Sequence, residues 1–309
     1  MDTVLCPSCG QNGIKRIGQI SAVGEFAGRV LDDPLPGGCL YQCRSCFLQF
    51  RHPKLDKTAL DKLYKQGNEE NWQNTVEGRV DWNIASRTIQ THLKQGSVLD
   101  VGCFSGGFLS TLPEPFQCFG IEIHKFAARE AEKAGVRIIG DDFAALASNV
   151  AVFDVVVAMD VIEHVEDPLV FLKMIVAATR PGGLIIISTG NTQAPSWRLM
   201  GSLYWYCTVA EHIVFICPQW CEHVARVCGV RVEQIEHFSH LGKDQRTIVR
   251  RLKELVRNLF FRMMPKCFAW LRSAGFGKTD VSSHPSLKYY PPGWMSAKDH
   301  FVAVLRKEE

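Results

Sequence analysis

The sequence predicts an α/β chain: a doubly wound sheet of seven strands preceded by a small cysteine-rich module. Three observations carry this. From Ser97 onward, short apolar runs alternate with helical stretches, the pattern of strands joined by crossover helices and covered on both faces. A glycine-rich turn, Gly102 to Gly107, follows the first of these strands. Ahead of them, Cys6, Cys9, Cys43 and Cys46 stand in two C-x-x-C pairs.

Composition bounds what the chain can be. With 309 residues, 46% hydrophobic and 22% charged, it carries enough apolar surface to fold and is long enough for about two units. No apolar run approaches the ~18 residues that a membrane-spanning helix requires. Met1 to Cys6 has neither a basic stretch nor an apolar core of a leader, so secretion is not expected and a cytoplasmic location is. Twelve cysteines are then expected to be reduced, held by metal or by burial. A net charge of +3 does not announce nucleic acid.

The elements follow in order. Two C-x-x-C turns supply the four thiolates of a closed tetrahedral zinc site, and Gly10 after Cys9 leaves backbone N–H groups free near sulfur. Such a site is structural, a staple for a segment with little core of its own. Cys39 is a spare that would make a poorer knuckle than Cys43. The glycine-rich stretch from Gly10 to Gln42 reads as a loop or hairpin excursion. A helix is expected over Asp56–Gln66, then a polar linker from Asn68 to Gly78. Trp82, Ala85, Ile89 and Leu93 mark one face of a second helix stopping at Gly96. Strands are expected at Val98–Val101, Phe116–Ile123, Val136–Ile139, Phe153–Met159, Leu184–Thr189, Val230–Phe238 and Phe301–Arg306. Helices are expected at His124–Ala134, Phe143–Ser148, Pro168–Thr179 and Pro218–Cys228. Asp167 before Pro168 is a start signal and Gly229 a stop. The expected units are residues 1–52 (cysteine module), 53–96 (helical linker or cap), 97–240 (nucleoside-binding sheet), 241–298 (an insertion) and 299–309 (final strand).

Ligands of such sheets bind at the carboxyl ends of the strands. There the first strand runs Val98-Leu99-Asp100-Val101 into Gly102 and Gly106. Asp100 would repel a pyrophosphate but suits an ammonium and a sulfonium. Glu122, twenty residues past Gly102, is placed for the hydroxyls of a ribose. At the end of the third strand, Asp141 or Asp142 can accept from an adenine amino group and Phe143 can cover the ring. A nucleoside without phosphate and with a cationic amino-acid tail is S-adenosylmethionine.

These residues resemble the class I S-adenosylmethionine-dependent methyltransferases. Asp100 to Gly106 is similar to their first motif, and Phe153 to Pro168, with Glu163-His164, to the fourth-strand signature of the branch holding the ubiquinone-biosynthesis O-methyltransferases. Arg180-Pro-Gly-Gly183 matches the turn into their fifth strand. The resemblance spans residues 97 to about 240, and it implies that the last strand is antiparallel. Some members of the branch carry a four-cysteine domain in front. Phe104 departs from the pattern, standing where the family has glycine at the methionine end of the cofactor. The expected cofactor contacts are Asp100, Gly102, Gly106, Glu122, Asp141, Asp142, Phe143 and Met159. The resemblance also implies a site for a divalent ion near Asp160, Glu163 and His164.

Two Glu-His pairs, Glu163-His164 and Glu211-His212, fall in loops that open at the same sheet edge. A histidine near neutral pKa can act as general base for an acceptor hydroxyl, so His164, His212 and Glu163 are the catalytic candidates. His164 can equally well hold its loop by bonding a backbone carbonyl. Trp197, Tyr204, Trp205, Tyr206 and Phe215 either wall an acceptor pocket or form the small core of a lid.

About sixty residues separate Phe238 from His300. Ile248, Leu252, Leu255, Val256, Leu259, Phe260, Met263 and Met264 form a helical stripe there, ending at Pro265, and residues 243–272 hold nine basic and two acidic side chains. The plain expectation is a helix packed on the protein with its charged face in water; the sharper one is peripheral contact with a membrane through this segment. Ser282 to Gly293 reads as a loop. The function expected is methylation of oxygen on a small-molecule, sugar or lipid-linked glycan acceptor. Two rivals remain: an RNA methyltransferase gripping phosphate with the cysteine module and basic helix, and a non-catalytic scaffold with a closed cofactor site.

Overall fold

Five short strands come first: β1 (Ile14–Gln19), β2 (Val23–Phe26), β3 (Arg29–Leu35), β4 (Cys39–Cys43) and β5 (Gln49–His52). The computed structural model describes residues 4–26, 29–54, 63, 79–241, 245–275 and 289–309. The helix expected over 56–66 (Leu63 aside), the linker at 68–78 and residues 282–288 of the proline-rich loop lie outside the described residues.

After them come α1 (Val80–His92), β6 (Gly96–Val101), β7 (Phe116–Ile121), α2 (Lys125–Lys133), β8 (Arg137–Gly140), α3 (Ala144–Ala147), β9 (Phe153–Met159), α4 (Pro168–Ala178) and β10 (Thr179–Gly190). The chain continues through α5 (Pro195–Met200), β11 (Val214–Phe215), α6 (Pro218–Cys228), β12 (Val230–Phe238), α7 (Ile248–Met263), α8 (Pro265–Ser273) and β13 (His300–Lys307).

The central sheet has seven strands in the order β12-β13-β10-β9-β6-β7-β8. All run parallel except β13, which pairs antiparallel with both β10 and β12. The inner strands β6, β9, β10 and β13 lack polar alternation because both faces are covered. From β9, Val156 and Ala158 pack toward Phe171, Leu172 and Trp220 of α4 and α6. Val155, Val157 and Met159 pack toward Trp82, Ala85 and Ile89 of α1. The start of α4 is fixed by Asp167, whose Oδ1 accepts from Leu169 and Val170 N–H, both at 3.0 Å, with Pro168 at the first helical position. Gly229, at φ +65°, stops α6.

Of the two readings of residues 10–42, the hairpin is the one formed: β2 pairs with β3 as a hairpin, and β1 pairs with β4. Two expectations need correction. The turn expected at Arg180–Gly183 lies inside the twelve-residue β10, where the pairing with β9 slips between Thr179 and Leu184. The sheet of the cysteine segment also crosses the boundary expected at residue 52. Its order is β1-β4-β5-β11, and β11 lies between β10 and α6 of the larger unit. No described helix is long and apolar enough to cross a membrane.

Candidate functional site

The turn after β6 is built on left-handed backbone. Gly102 and Gly106 both sit at φ +79°, and a Cβ on Gly102 would come within 2.7 Å of Val161 Cγ2. Phe104 occupies the same region at φ +48°, which is why glycine suits that position. The loop is held all the same, because Phe104 N–H donates to Glu122 Oε2 and His124 N–H to Glu122 Oε1, each at 2.8 Å. Glu122 thus ties the end of β7 to the glycine turn and keeps further lone pairs on both oxygens. Burial pushes its carboxyl up, and the two backbone donors oppose that.

Asp100, 4% exposed, is the penultimate residue of β6, next to this turn. Burial, then the neighbouring Glu122, pushes its carboxyl up to about 8. Among the described residues no donor meets it, so the site is short of a cation, and the ammonium of an amino-acid tail fits that need. Arg79, just before α1, is the nearby guanidinium. It reaches Asp81 and Asp160 at 2.5 Å each and lies 5.0 Å over the Trp82 ring. Nothing in the sequence pattern marked Arg79, since it sits between an unpatterned stretch and the first apolar turn of a helix.

Farther along the edge, Asp142 Oδ1 accepts from Ala144 N–H at 2.8 Å, so this carboxylate is engaged in starting α3, while Asp141 is exposed at the end of β8. Phe143 is half-buried with its ring 4.8 Å from that of Phe171. Met159 ends β9 and is buried against α1.

Beyond β9 the two Glu-His loops converge. One ligand atom from each of Glu163, His164 and His212 falls within 4.8 Å of the others. The rings of His164 and His212 are 4.9 Å apart, edge to face. Glu163, 1% exposed, accepts from the Tyr206 hydroxyl on Oε1 and from Thr189 Oγ1 at 3.0 Å on Oε2. Burial, then Asp160, pushes its carboxyl up to about 7. His212 Nδ1 lies 3.2 Å from the Tyr206 carbonyl, which can only accept, so Nδ1 carries the proton and Nε2 the lone pair. Burial, then His164, drives His212 well below the usual histidine range, so it is neutral. His164 is also lowered by burial, with the charges of Glu211 and Asp160, and then their backbone carbonyls, acting against that.

Asp160 does not join this group. It sits at φ +53° and pairs with Arg79, and His212 takes the place expected of it in a divalent-ion set. The aromatic segment is mostly core: Trp197, Tyr204, Tyr206 and Phe215 are buried together, and only Trp205 is half-exposed. Two more histidines complete the edge. The His300 ring stands 4.1 Å from that of His240 and 5.1 Å from that of Tyr206. Burial opposes charge on His300, but the bond to Asp299 at 3.0 Å raises it above the usual range. A signal for His300 was present: the first residue of an antiparallel last strand lies at the carboxyl edge of its parallel neighbours.

The four cysteines also come together. Cys6 and Cys46 sulfurs are 3.5 Å apart, as are those of Cys9 and Cys43, and all four lie within 4.8 Å of one another. Thiolates on a zinc tetrahedron stand roughly 3.7 Å apart, given Zn–S distances of about 2.3 Å. Left-handed residues follow the second cysteine of each pair, Gly10 at φ +69° and Phe47 at φ +66°. The donor set and its geometry fit structural zinc. Cys39 is elsewhere, within reach of Arg16 and Gln19.

Residues 76–234, just over half of the chain, match the family described as methyltransferase domain. A ubiquinone biosynthesis O-methyltransferase of Parvibaculum lavamentivorans is 37% identical over 119 residues, 34% of this chain and 46% of that protein. The protein of the same name from Idiomarina loihiensis is 34% identical over 134 residues, 40% of this chain and 51% of its own length. The chain thus spans about half the length of these curated relatives. An S-adenosylmethionine-dependent methyltransferase from Mesorhizobium loti superposes with a TM-score of 0.46 at 15% identity, covering 75% of this chain and all of that one.

Proposed function

The chain belongs to the class I S-adenosylmethionine-dependent methyltransferases, and from that premise we propose that it methylates a hydroxyl oxygen of a small-molecule, sugar or lipid-linked acceptor. The observation that carries the proposal is the convergence of Glu163, His164, His212 and Tyr206 at the strand edge that also holds Asp100 and Glu122. The likeness to O-methyltransferases supports oxygen as the atom methylated.

S-adenosylmethionine supplies a methyl group made electrophilic by its sulfonium. Asp100 binds the ammonium of the amino-acid tail and, by ionising, offsets its positive charge. Arg79, which also pairs with Asp81 and Asp160, would meet the tail carboxylate, and Glu122 would accept from the ribose hydroxyls with the lone pairs left by Phe104 and His124. His212 Nε2 accepts the acceptor's proton, and Glu163, held by Tyr206 and Thr189, steadies the histidinium that forms. Most of the rate comes from holding oxygen and methyl in line inside a dry edge. If a divalent ion is used, Glu163, His164 and His212 would hold it, and it would supply Lewis-acid polarisation of the acceptor oxygen in place of the base.

Incubation with labelled S-adenosylmethionine and a panel of phenols, sugars and lipid-linked glycans tests the reading, with product localised by mass spectrometry. Methyl on oxygen supports it; methyl on nitrogen or carbon overturns the acceptor chemistry. Failure to bind S-adenosylmethionine in calorimetry makes the chain a scaffold.

A further inference from the structure

The helix α7 leaves much of its apolar stripe in water. A helix that packs on a protein buries its apolar stripe and leaves its polar face in water. Here the inward residues are Glu254, Asn258 and Phe261. Glu254 Oε2 accepts from Ser296 N–H at 2.9 Å and Ser296 Oγ at 2.5 Å, and its Oε1 accepts from Arg250 Nε at 3.2 Å. Outward stand Ile248 at 76% exposure, Leu252 at 55%, Val256 at 64% and Met263 at 77%, a row with helical spacing. Met264 and Trp270, at the turn into α8 and beyond it, are also exposed. Only Leu255, Leu259 and Phe260 of the stripe expected from the sequence are half-buried.

Basic side chains border this row. Arg251 and Arg262 lie along one side, Lys253 and Arg257 along the other, by their positions on a helix of 3.6 residues per turn. The helix is also fixed in place. Arg262 donates to the Leu199 carbonyl at the end of α5, and Arg257 donates to the Gly293 carbonyl at 2.9 Å. An apolar row held outward on a rigid mount, with long cationic stems on both flanks, is the arrangement of a helix lying in the plane of a bilayer surface.

We propose that α7 and the start of α8 dock this protein on an anionic lipid surface, the apolar row entering the acyl boundary and the flanking cations meeting the headgroups. Charge argues for this occupant. A second copy of the chain would bring like-charged flanks together, whereas anionic lipid pairs with them. Nucleic acid would satisfy the cations but leave the apolar row unmatched. The surface lies outside the residues that match the family, so the proposal does not depend on the methyl-transfer reading.

The test is co-sedimentation of the full chain with phosphatidylcholine vesicles, with and without phosphatidylglycerol, at low and high salt. Binding to the anionic vesicles alone is expected, weakened by salt. The double variant Leu252→Glu, Val256→Glu should bind about tenfold less or worse, with an unchanged unfolding midpoint because both sites face water. Reversal of Arg251 and Lys253 to Glu should do the same. Absence of binding to anionic vesicles at low salt overturns the proposal, as does full binding by the double variant. It is equally overturned if structured RNA, not vesicles, binds independently of the apolar row, or if the row proves to be buried in a dimer that the double variant splits in sedimentation.

Discussion

Arg51 Nη2 donates to the Cys207 carbonyl at 2.8 Å, joining β5 of the cysteine segment to the loop that carries Tyr206 and His212. The same guanidinium also reaches the Ala210 and Val209 carbonyls, at 3.4 and 3.3 Å. Arg51 is 1% exposed, so these contacts hold the loop from inside. The pairing of β5 with β11, and the Trp220 indole donating to Ser8 Oγ at 3.0 Å, add to the same link. The cysteine segment is therefore built into the sheet edge that carries Tyr206 and His212.

Removal of metal follows from that link. Chelation, or Cys46→Ser, should release one zinc per chain and lower turnover, while S-adenosylmethionine affinity changes by less than about threefold because Asp100 and Glu122 lie on other strands. Metal analysis alongside calorimetry checks both parts. Arg51→Met should lower stability by roughly 2–4 kcal/mol in denaturant unfolding, since three carbonyls, two of them buried, lose their donor.

Cofactor binding should depend on pH through Asp100, whose carboxyl burial pushes up to about 8. A cationic tail binds the ionised form, so binding expels a proton below that pH. Affinity should rise with pH by up to about tenfold per unit and level off above about 8. Calorimetry at pH 7 in buffers of different ionisation heat should show proton release from the native protein and none through this group in Asp100→Asn, which should bind at least ~10-fold more weakly.

His212→Ala should leave cofactor affinity intact and reduce turnover about a hundredfold or more. Turnover equal to that of the native protein would remove His212 from the chemistry.

Tyr206→Phe removes a donor from Glu163, whose carboxyl is pushed up to about 7 by burial and Asp160. The carboxylate loses stabilisation and its pKa rises further. The acid limb of the pH–rate profile should therefore move to higher pH, a shift that mere loosening of the loop would not produce.

Asp167→Ala removes the side-chain acceptor for Leu169 and Val170 N–H at the start of α4. A loss of about 1 kcal/mol in denaturant unfolding is expected, with activity retained.

Much of this protein was written in local sequence. The limits of β9, β12 and α6 coincide with those read from apolar runs, Pro218 and Gly229, because strand and helix periods and their end signals act over a few residues. Asp100 near the end of β6, the left-handed Gly102 and Gly106 in the turn after it, and Glu122 just past β7 lie where local strand and turn signals put them. Four cysteines at two fixed spacings specified their own meeting, since a shared ion needs no more than four sulfurs in reach.

Tertiary structure decided what depends on partners distant in sequence. The cysteine module's sheet takes in β11 through backbone pairing, which no side-chain pattern records. Arg79 meets Asp160 across 81 positions, and His300 meets Tyr206 only because β13 enters the sheet reversed. The direction of α7 was open as well. Periodicity shows that a helix has an apolar face, but which face the protein takes depends on what it offers, and Ser296 offered hydrogen bonds to Glu254 instead of apolar surface to Val256.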